Sequence, residues 1–133
     1  MNAAVSPPDP APLGILLLSG SFERAHYAFM LAAGAGAIGR PVVLFATNAG
    51  CHALCEDWSG LSGADQDAAF QSRGVAGFTE LRQAATELGT TLLACDSGLR
   101  IAGIAPDRLR PEVTVAGIPS FLAALGPGQV ITL

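Results

Sequence analysis

Residues 13–19 read LGILLLS and are followed by Gly20-Ser21, a pattern that predicts a buried strand ending in a tight turn. An apolar run without polar alternation is typical of a strand that is covered on both faces. Ser21 can cap a following helix, and Glu23 lies in the first turn, where a carboxylate is favourable. The predicted buried stripe of that helix consists of Phe22, Ala25, Phe29, Ala32, Ala33 and Gly36.

The alternation of strand and helix continues along the chain. Further strands are predicted at residues 41–47, 90–95, 112–116 and 129–133, and further helices at residues 79–88, 96–102 and 119–125. Glycines and aspartates break the pattern in residues 48–77, so we expect mostly loop there, with a weak helix at residues 64–72. A segment of this kind is more often a functional lid or an ordered excursion than a neutral connector.

Strands that alternate with helices predict one α/β domain at residues 13–133, behind a flexible, proline-rich leader at residues 1–12. Its sheet is expected to be parallel and covered by helices on both faces. Right-handed crossovers place every strand-to-helix loop at the carboxyl edge of such a sheet, where ligands bind. The loops at this edge are residues 19–22, 47–55, 95–98 and 116–119.

The composition limits the classes of partner. Among 133 residues, seven basic side chains, all Arg, face eleven acidic ones, for a formal charge of −4. An acidic chain without a basic cluster offers nothing to a phosphate backbone, so we expect no nucleic-acid partner. Only 14% of the residues are charged, against about 25% in typical domains, which predicts a surface partly buried against other subunits.

No targeting or membrane-spanning segment is expected. The longest uncharged candidate, residues 25–39, falls short of the ~20 residues that cross a bilayer as a helix. Residues 1–12 lack the basic start and apolar core of a secretory signal. Three cysteines, an odd number, argue against a secreted disulfide framework. We therefore expect a cytoplasmic protein without a membrane partner.

Cys95 is the candidate catalytic residue. It ends an apolar strand and precedes a helix that opens with Asp96-Ser97. The unpaired N–H groups and the helix dipole at that point favour a thiolate. Asp96 opposes this effect unless its carboxylate turns to cap the helix. The alternative is an inert, buried cysteine, which is a common fate of this residue type.

Cys51, His52 and Cys55 form a second cluster of reactive side chains. Two thiols and an imidazole can ligate zinc, but a structural site needs a fourth ligand, which His26 or Cys95 would have to supply. The Cys-x-x-x-Cys spacing also differs from the redox Cys-x-x-Cys motif. The cysteines can instead act as sulfur donor or resolving partner for Cys95, or only pack. We expect no bound metal.

Two further features lie near the same edge. Gly20-Ser21, at the start of the first helix, resembles an anion-binding turn, although no P-loop lysine follows it. His26 lies one turn into that helix and can assist a thiolate, or it can be a histidine satisfied within the fold. Nothing in the sequence calls for a cofactor.

Four segments resemble the DsrE/DsrF-like family of small sulfur-relay proteins, and within it the DsrE2 branch. They are residues 14–19, the Gly39-Arg40-Pro41 stop leading into residues 42–46, LGTTLLAC at residues 88–95, and VAGIPSF at residues 115–121. The most specific part is Ala94-Cys95 followed by a short helix that ends at Gly103-Ile104. Family members often carry Met just after this cysteine, where this chain has Ser97 and Gly98.

The resemblance implies a three-layer, flavodoxin-like fold with a mostly parallel five-stranded sheet, assembled into a homotrimer or homohexamer. It also implies that Cys95 accepts a sulfane sulfur as a persulfide from a donor protein and relays it to an acceptor protein. Two alternatives stay open: an oligomeric module that binds a small anionic ligand at the carboxyl edge without catalysis, and a metal-binding or redox-sensing protein built on Cys51, His52 and Cys55.

Overall fold

The computed structural model describes residues 10–133. Five strands lie at Leu13–Leu17 (β1), Val42–Ala46 (β2), Thr91–Cys95 (β3), Thr114–Ala116 (β4) and Gln129–Thr132 (β5). Five α-helices lie at Phe22–Ala37 (α1), Gln66–Ser72 (α2), Phe78–Glu87 (α3), Asp96–Ala102 (α4) and Ile118–Leu125 (α5). Short 3-10 helices lie at Asn48–Leu54 and Pro106–Arg108.

The five strands form one sheet in the order β4-β3-β2-β1-β5, and every pair is parallel. The predicted parallel α/β architecture is therefore confirmed. The chain moves outward from β1 to β4 and then returns to place β5 on the other side of β1. This reversal of strand order between β1 and β5 is a topological switch point, where ligands of open α/β sheets bind.

The two faces of the sheet are covered unequally. On the first face, α1 and α3 pack on alternate residues of the strands, among them Ile15, Leu44 and Leu92. On the second face, α5 is the helix that packs on the sheet. Its Phe121 ring stacks on Phe45, with ring centroids 5.0 Å apart. Both faces carry a helical layer, as predicted, but the third layer is a single short helix.

The segment at residues 48–77 is more regular than the sequence predicts. It contains a 3-10 helix, and α2 lies within the expected weak helix at residues 64–72. The fourth strand is shorter than predicted, because β4 begins at Thr114 rather than at residue 112. Glu112 lies before the strand, and its carboxylate accepts a hydrogen bond from Arg110 at 2.6 Å. Most of the predicted leader, residues 1–9, lies outside the described residues.

The buried stripe of α1 differs from the prediction at four positions. Ala33 and Gly36 are only half-buried, whereas His26 and Ala28 are buried. Gly36 still permits close packing, because a Cβ there would lie 2.9 Å from the Cβ of Leu88. Within residues 10–133, we find no helix with the length and apolar character needed to span a membrane.

Candidate functional site

Cys95 lies at the carboxyl edge of the sheet as the last residue of β3 and the N-cap of α4. Its Sγ accepts a hydrogen bond from the backbone N–H of Gly98 at 3.3 Å. The side chain belongs to the second-face cluster and is 7% exposed. The sulfur of Cys95 therefore takes the place of the side-chain oxygen that usually caps a helix.

Asp96 does not cap the helix. Its carboxylate accepts a hydrogen bond from the Arg100 guanidinium at 3.0 Å, one turn along α4, and both side chains are exposed. The positive charge of Arg100 therefore offsets the negative charge that follows Cys95. Ser97, the other predicted anion-site residue here, is also exposed.

Gly98 brings α4 into close contact with the loop after β2. A Cβ at residue 98 would collide with the backbone N of Asn48 and with Oγ1 of Thr47. Asn48 adopts a left-handed conformation, with φ of 50°. A side chain at this position would require the loop after β2 to shift. The same loop leads into the 3-10 helix that carries Cys51 and His52.

Cys51 is fully buried and packs on the first face of the sheet. Its Sγ donates a hydrogen bond to the carbonyl oxygen of Ala46 at 3.5 Å. Burial, together with the nearby charge of Cys95, raises the pKa of the Cys51 thiol to about 12. The two cysteines are close enough to interact, but the Cys95 side chain packs in the second-face cluster and Cys51 stays protonated near neutral pH.

Cys55 is also fully buried, and its Sγ donates to the carbonyl oxygen of Cys51 at 3.6 Å. Burial raises the pKa of this thiol, and the charges of Arg108 and Arg82 oppose the increase. Both Cys51 and Cys55 thus act as hydrogen-bond donors to backbone carbonyls, a role that needs the protonated thiol.

His52 is half-buried in the same 3-10 helix, and its ring lies against Gly60. Its buried Nδ1 atom makes no hydrogen bond within the described residues. No group of three His, Cys, Asp or Glu side chains in residues 10–133 is arranged to hold a metal ion. Cys51, His52 and Cys55, close in sequence, therefore do not form a ligand set.

His26 is held inside the fold. Its Nε2 lies 2.9 Å from the carbonyl oxygen of Ala76, which can only accept a hydrogen bond, so Nε2 carries the proton. The ring packs against Phe22 and Phe70, with centroid distances of 5.6 and 5.0 Å. None of its ring contacts or hydrogen bonds within residues 10–133 reaches Cys95, and the contacts that it makes anchor the segment before α3.

At the Gly20-Ser21 turn, the N–H groups of Ser21 and Phe22 are used within the chain. The N–H of Ser21 donates to Oγ of Ser19 at 3.0 Å, and the N–H of Phe22 donates to the carbonyl oxygen of Ser62 at 2.8 Å. Oγ of Ser21 caps α1 by accepting the N–H of Arg24 at 3.4 Å. An anion at this turn would have to compete with these bonds.

An open cavity lies beside the start of α1, at the switch point between β1 and β5. Its volume is about 500 Å³, and its lining residues are Ser21, Glu23, Arg24, Tyr27 and Leu133. The cavity combines a guanidinium, a phenol and a hydroxyl with a carboxylate. The sequence analysis singled out Gly20-Ser21, and Ser21 lines this cavity. It did not identify Arg24 or Tyr27 as candidate site residues.

Arg82 is a buried residue that the sequence analysis did not identify. Its guanidinium donates to the carbonyl oxygens of Ala53 at 3.1 Å, Cys55 at 2.5 Å and Glu56 at 3.4 Å, and lies 5.5 Å from the ring centre of Phe78. Burial lowers the pKa of Arg82 to about 10. Arg82 therefore satisfies the carbonyls where the Cys51–Cys55 segment ends. Arg82 lies four residues after Phe78, on the same buried side of α3. This helical spacing was the available signal of burial, but a charged residue is usually expected to be exposed.

No protein-family model matches the chain, and no curated protein matches it in sequence. Several solved structures are similar to it, among them the following two. The YchN protein of E. coli superposes with a TM-score of 0.69 at 12% identity, over 92% of this chain and 98% of that one. A protein of unknown function from Methanobacterium thermoautotrophicum, MTH1491, superposes with a TM-score of 0.63 at 16% identity over the same shares. The chain therefore has the three-layer, flavodoxin-like architecture of the DsrE-like fold.

Proposed function

We propose that this chain is a sulfur carrier of the DsrE/DsrF-like family, in its DsrE2 branch, with Cys95 as the sulfur-accepting residue. The observation that carries the proposal is the contrast among the three cysteines. Cys51 and Cys55 are fully buried and donate hydrogen bonds to carbonyls, whereas Cys95 retains some exposure and accepts a backbone N–H. Cys95 is therefore the candidate nucleophile among the three cysteines.

The transfer is a pair of thiol–persulfide exchanges without net oxidation. The Cys95 thiolate attacks the outer sulfur of a persulfide on a donor protein. The donor S–S bond breaks, the donor leaves as a thiolate, and Cys95 becomes the persulfide. An acceptor thiolate then attacks the outer sulfur, and Cys95 leaves as a thiolate. The N–H of Gly98 stabilises the anionic sulfur of Cys95 before and after the transfer.

The test is the intact mass of the reduced protein after incubation with a cysteine desulfurase and free cysteine. We expect a gain of one sulfur that a reducing thiol reverses. Cys95→Ser should abolish the gain, because Ser preserves the helix cap but has no thiol. Cys51→Ser is the matched control and should still gain sulfur. No gain on the wild-type protein, or an equal gain on Cys95→Ser, would contradict the proposal.

The proposal includes the partners that the mechanism requires: a sulfur-donor protein, an acceptor protein, and further copies of this chain in a trimer or hexamer. It places the exchange in the cytoplasm, where persulfides and free thiols coexist under reducing conditions. It requires no cofactor, because each step exchanges one sulfur–sulfur bond for another.

A second candidate function is a non-catalytic module that binds a small anion, and the cavity beside α1 is the observation that favours it. Calorimetric titration with inorganic phosphate tests this alternative. Binding that survives Cys95→Ser but is lost in Arg24→Ala would support it. The absence of binding to the wild-type protein would exclude phosphate-like ligands from this cavity.

A further inference from the structure

A second cavity lies between α1 and residues 70–75, which end α2 and continue beyond it. Its volume is about 340 Å³, near the lower end of the range for ligand pockets, which suits a molecule of amino-acid size. The lining is mostly apolar. Tyr27 and Met30 contribute from α1, and Phe70 and Val75 contribute from the other wall. We call this space the α1–α2 cavity.

Two opposite charges line the α1–α2 cavity. Glu23 lies in the first turn of α1, and Arg73 is the C-cap residue of α2. The three ion pairs within residues 10–133 all involve Arg100 or Arg110, so neither of the two cavity charges is paired in that part of the chain. A carboxylate and a guanidinium on different helices around one apolar space can bind the two charged ends of a zwitterion.

His26 adds a buried polar group to the same lining. Its side chain is 3% exposed, and its Nε2 donates to the carbonyl oxygen of Ala76. Nδ1 is therefore an acceptor, and it makes no hydrogen bond within residues 10–133. The fully enclosed side-chain atoms without a partner in that part of the chain are Nδ1 of His52 and Oγ1 of Thr90. Nδ1 of His26 therefore keeps access to the cavity that the ring lines.

The spacing along α1 brings the two acceptors together. Glu23 and His26 are three residues apart, a separation at which side chains are neighbours on a helix surface. A carboxylate and an imidazole acceptor side by side suit an ammonium group, which has three N–H donors and no acceptor. The guanidinium of Arg73 has donors only, so it suits a carboxylate. The ring of Phe70 and the thioether of Met30 suit an apolar or aromatic side chain.

We propose that the α1–α2 cavity binds a free hydrophobic α-amino acid. The ammonium group of the ligand donates to the carboxylate of Glu23 and to Nδ1 of His26, and its carboxylate accepts from Arg73. Its side chain packs between Met30 and Phe70. The binding is non-covalent and does not involve Cys95, so this proposal is independent of the sulfur-carrier function.

The experiment is an NMR titration of the isotope-labelled, full-length chain with L-phenylalanine up to about 10 mM, which detects a dissociation constant of about 1 mM. We expect amide shift changes concentrated at residues 23–30 and 70–76, which contain the cavity lining. Phenethylamine lacks the carboxylate and 3-phenylpropionate lacks the ammonium group. Each of these probes should bind at least about tenfold more weakly, because each loses charge-assisted hydrogen bonds.

Two variants assign the ends of the ligand. Arg73→Ala should weaken the binding of phenylalanine about tenfold and leave that of phenethylamine unchanged, because phenethylamine has no group for Arg73. Glu23→Gln should weaken the binding of phenylalanine about tenfold and leave that of 3-phenylpropionate unchanged. Arg108→Ala is the matched control, because Arg108 is exposed in the 3-10 helix at Pro106–Arg108, outside the cavity lining. It should leave the binding of all three probes unchanged.

The absence of shift changes at the cavity with phenylalanine would overturn the proposal. Phenethylamine or 3-phenylpropionate that binds as tightly as phenylalanine would overturn it too, because one of the two charges would then play no part. Equal weakening of phenylalanine and phenethylamine by Arg73→Ala would contradict the contact between Arg73 and the carboxylate. Circular dichroism checks that each variant is folded, and all three substituted side chains are exposed.

Discussion

Cys95 and Gly98 act together at the start of α4. Gly98 supplies the N–H that Cys95 accepts, and the same residue must lack a side chain because Thr47 and Asn48 lie against it. The sulfur is therefore held by a turn that packs on the neighbouring loop. The position of the thiol depends on that packing as much as on the strand that precedes it.

Gly98→Ala should destabilise the fold by about 1–3 kcal/mol, because the added methyl group has no space beside Asn48. Gly34→Ala is the matched control. Gly34 is exposed within α1 and would place its Cβ in open space, so the substitution should stabilise by about 0.5–1 kcal/mol. Urea denaturation measures both changes in the free energy of unfolding. Equal stability of Gly98→Ala and the wild type would show that the loop is not packed on α4.

The Cys51 thiol predicts a loss of stability at alkaline pH. Folding raises its pKa from 9.0 to about 12, so the folded state favours the protonated thiol. This contribution is complete below pH 9 and declines as the pH rises toward 12. The decline amounts to at most about 1.4 kcal/mol per pH unit for one thiol.

Chemical denaturation at pH 8, 9 and 10 measures this slope. Cys51→Ala should show a smaller loss between pH 9 and 10 than the wild type, whatever its absolute stability. Parallel curves for the two proteins would mean that Cys51 ionises as readily in the fold as in the unfolded chain.

The sequence was sufficient to predict the place of Cys95 between a strand and a helix, but not the long-range contacts of the buried residues. A strand that ends in cysteine and a helix that begins one residue later are both local patterns, so the N-cap position follows from the sequence. The contacts of Gly98, His26 and Arg82 link residues that are distant along the chain. Single-sequence patterns do not contain this information, and a buried arginine contradicts the usual link between charge and exposure.

Among the helices and strands, too, those with a local sequence pattern were predicted and those that depend on long-range contacts were not. Each predicted strand is present, because apolar β-rich runs between turn residues are distinctive. The 3-10 helix at Asn48–Leu54 was not predicted, since its residues, which include one glycine and one cysteine, match neither helical nor strand periodicity. Carbonyls at its end are satisfied by Arg82 from α3, which is a tertiary effect.

At the level of α4, the Asp96–Arg100 pair should tune the reactivity of Cys95. Asp96→Asn removes a negative charge from the first turn and leaves Arg100 unpaired, so the electrostatic potential at the start of α4 becomes more positive. We expect the alkylation rate of Cys95 at pH 7 to rise about two- to threefold, a modest effect because both partners are exposed. Arg100→Ala should lower the rate by a similar factor.

Arg73→Ala is the control for this pair, because Arg73 is exposed at the end of α2, far from α4 along the chain. In the Arg73→Ala variant, the alkylation rate of Cys95 should match that in the wild-type protein. If Asp96→Asn slows the reaction or leaves it unchanged, the first turn of α4 does not set the charge at Cys95.

Across the whole molecule, charged and uncharged residues divide between two parts of the fold. The charged residues lie in the first 112 positions, and the uncharged remainder forms the edges and the second face of the sheet. The Cys95 side chain packs in the second-face cluster with Phe121 and Leu125. The low charge content predicted a surface buried against other subunits, and the sheet order shows which part of the surface lacks charge.

The account depends most on Cys95 being the reactive thiol of the three. Native-state alkylation with iodoacetamide at pH 7, followed by peptide mapping, tests this claim directly. The account predicts that Cys95 is modified in the folded protein, whereas Cys51 and Cys55 react only after unfolding, because both are fully buried and protonated. A Cys95 that is protected as well as the other two, or a Cys51 that reacts first, would contradict it.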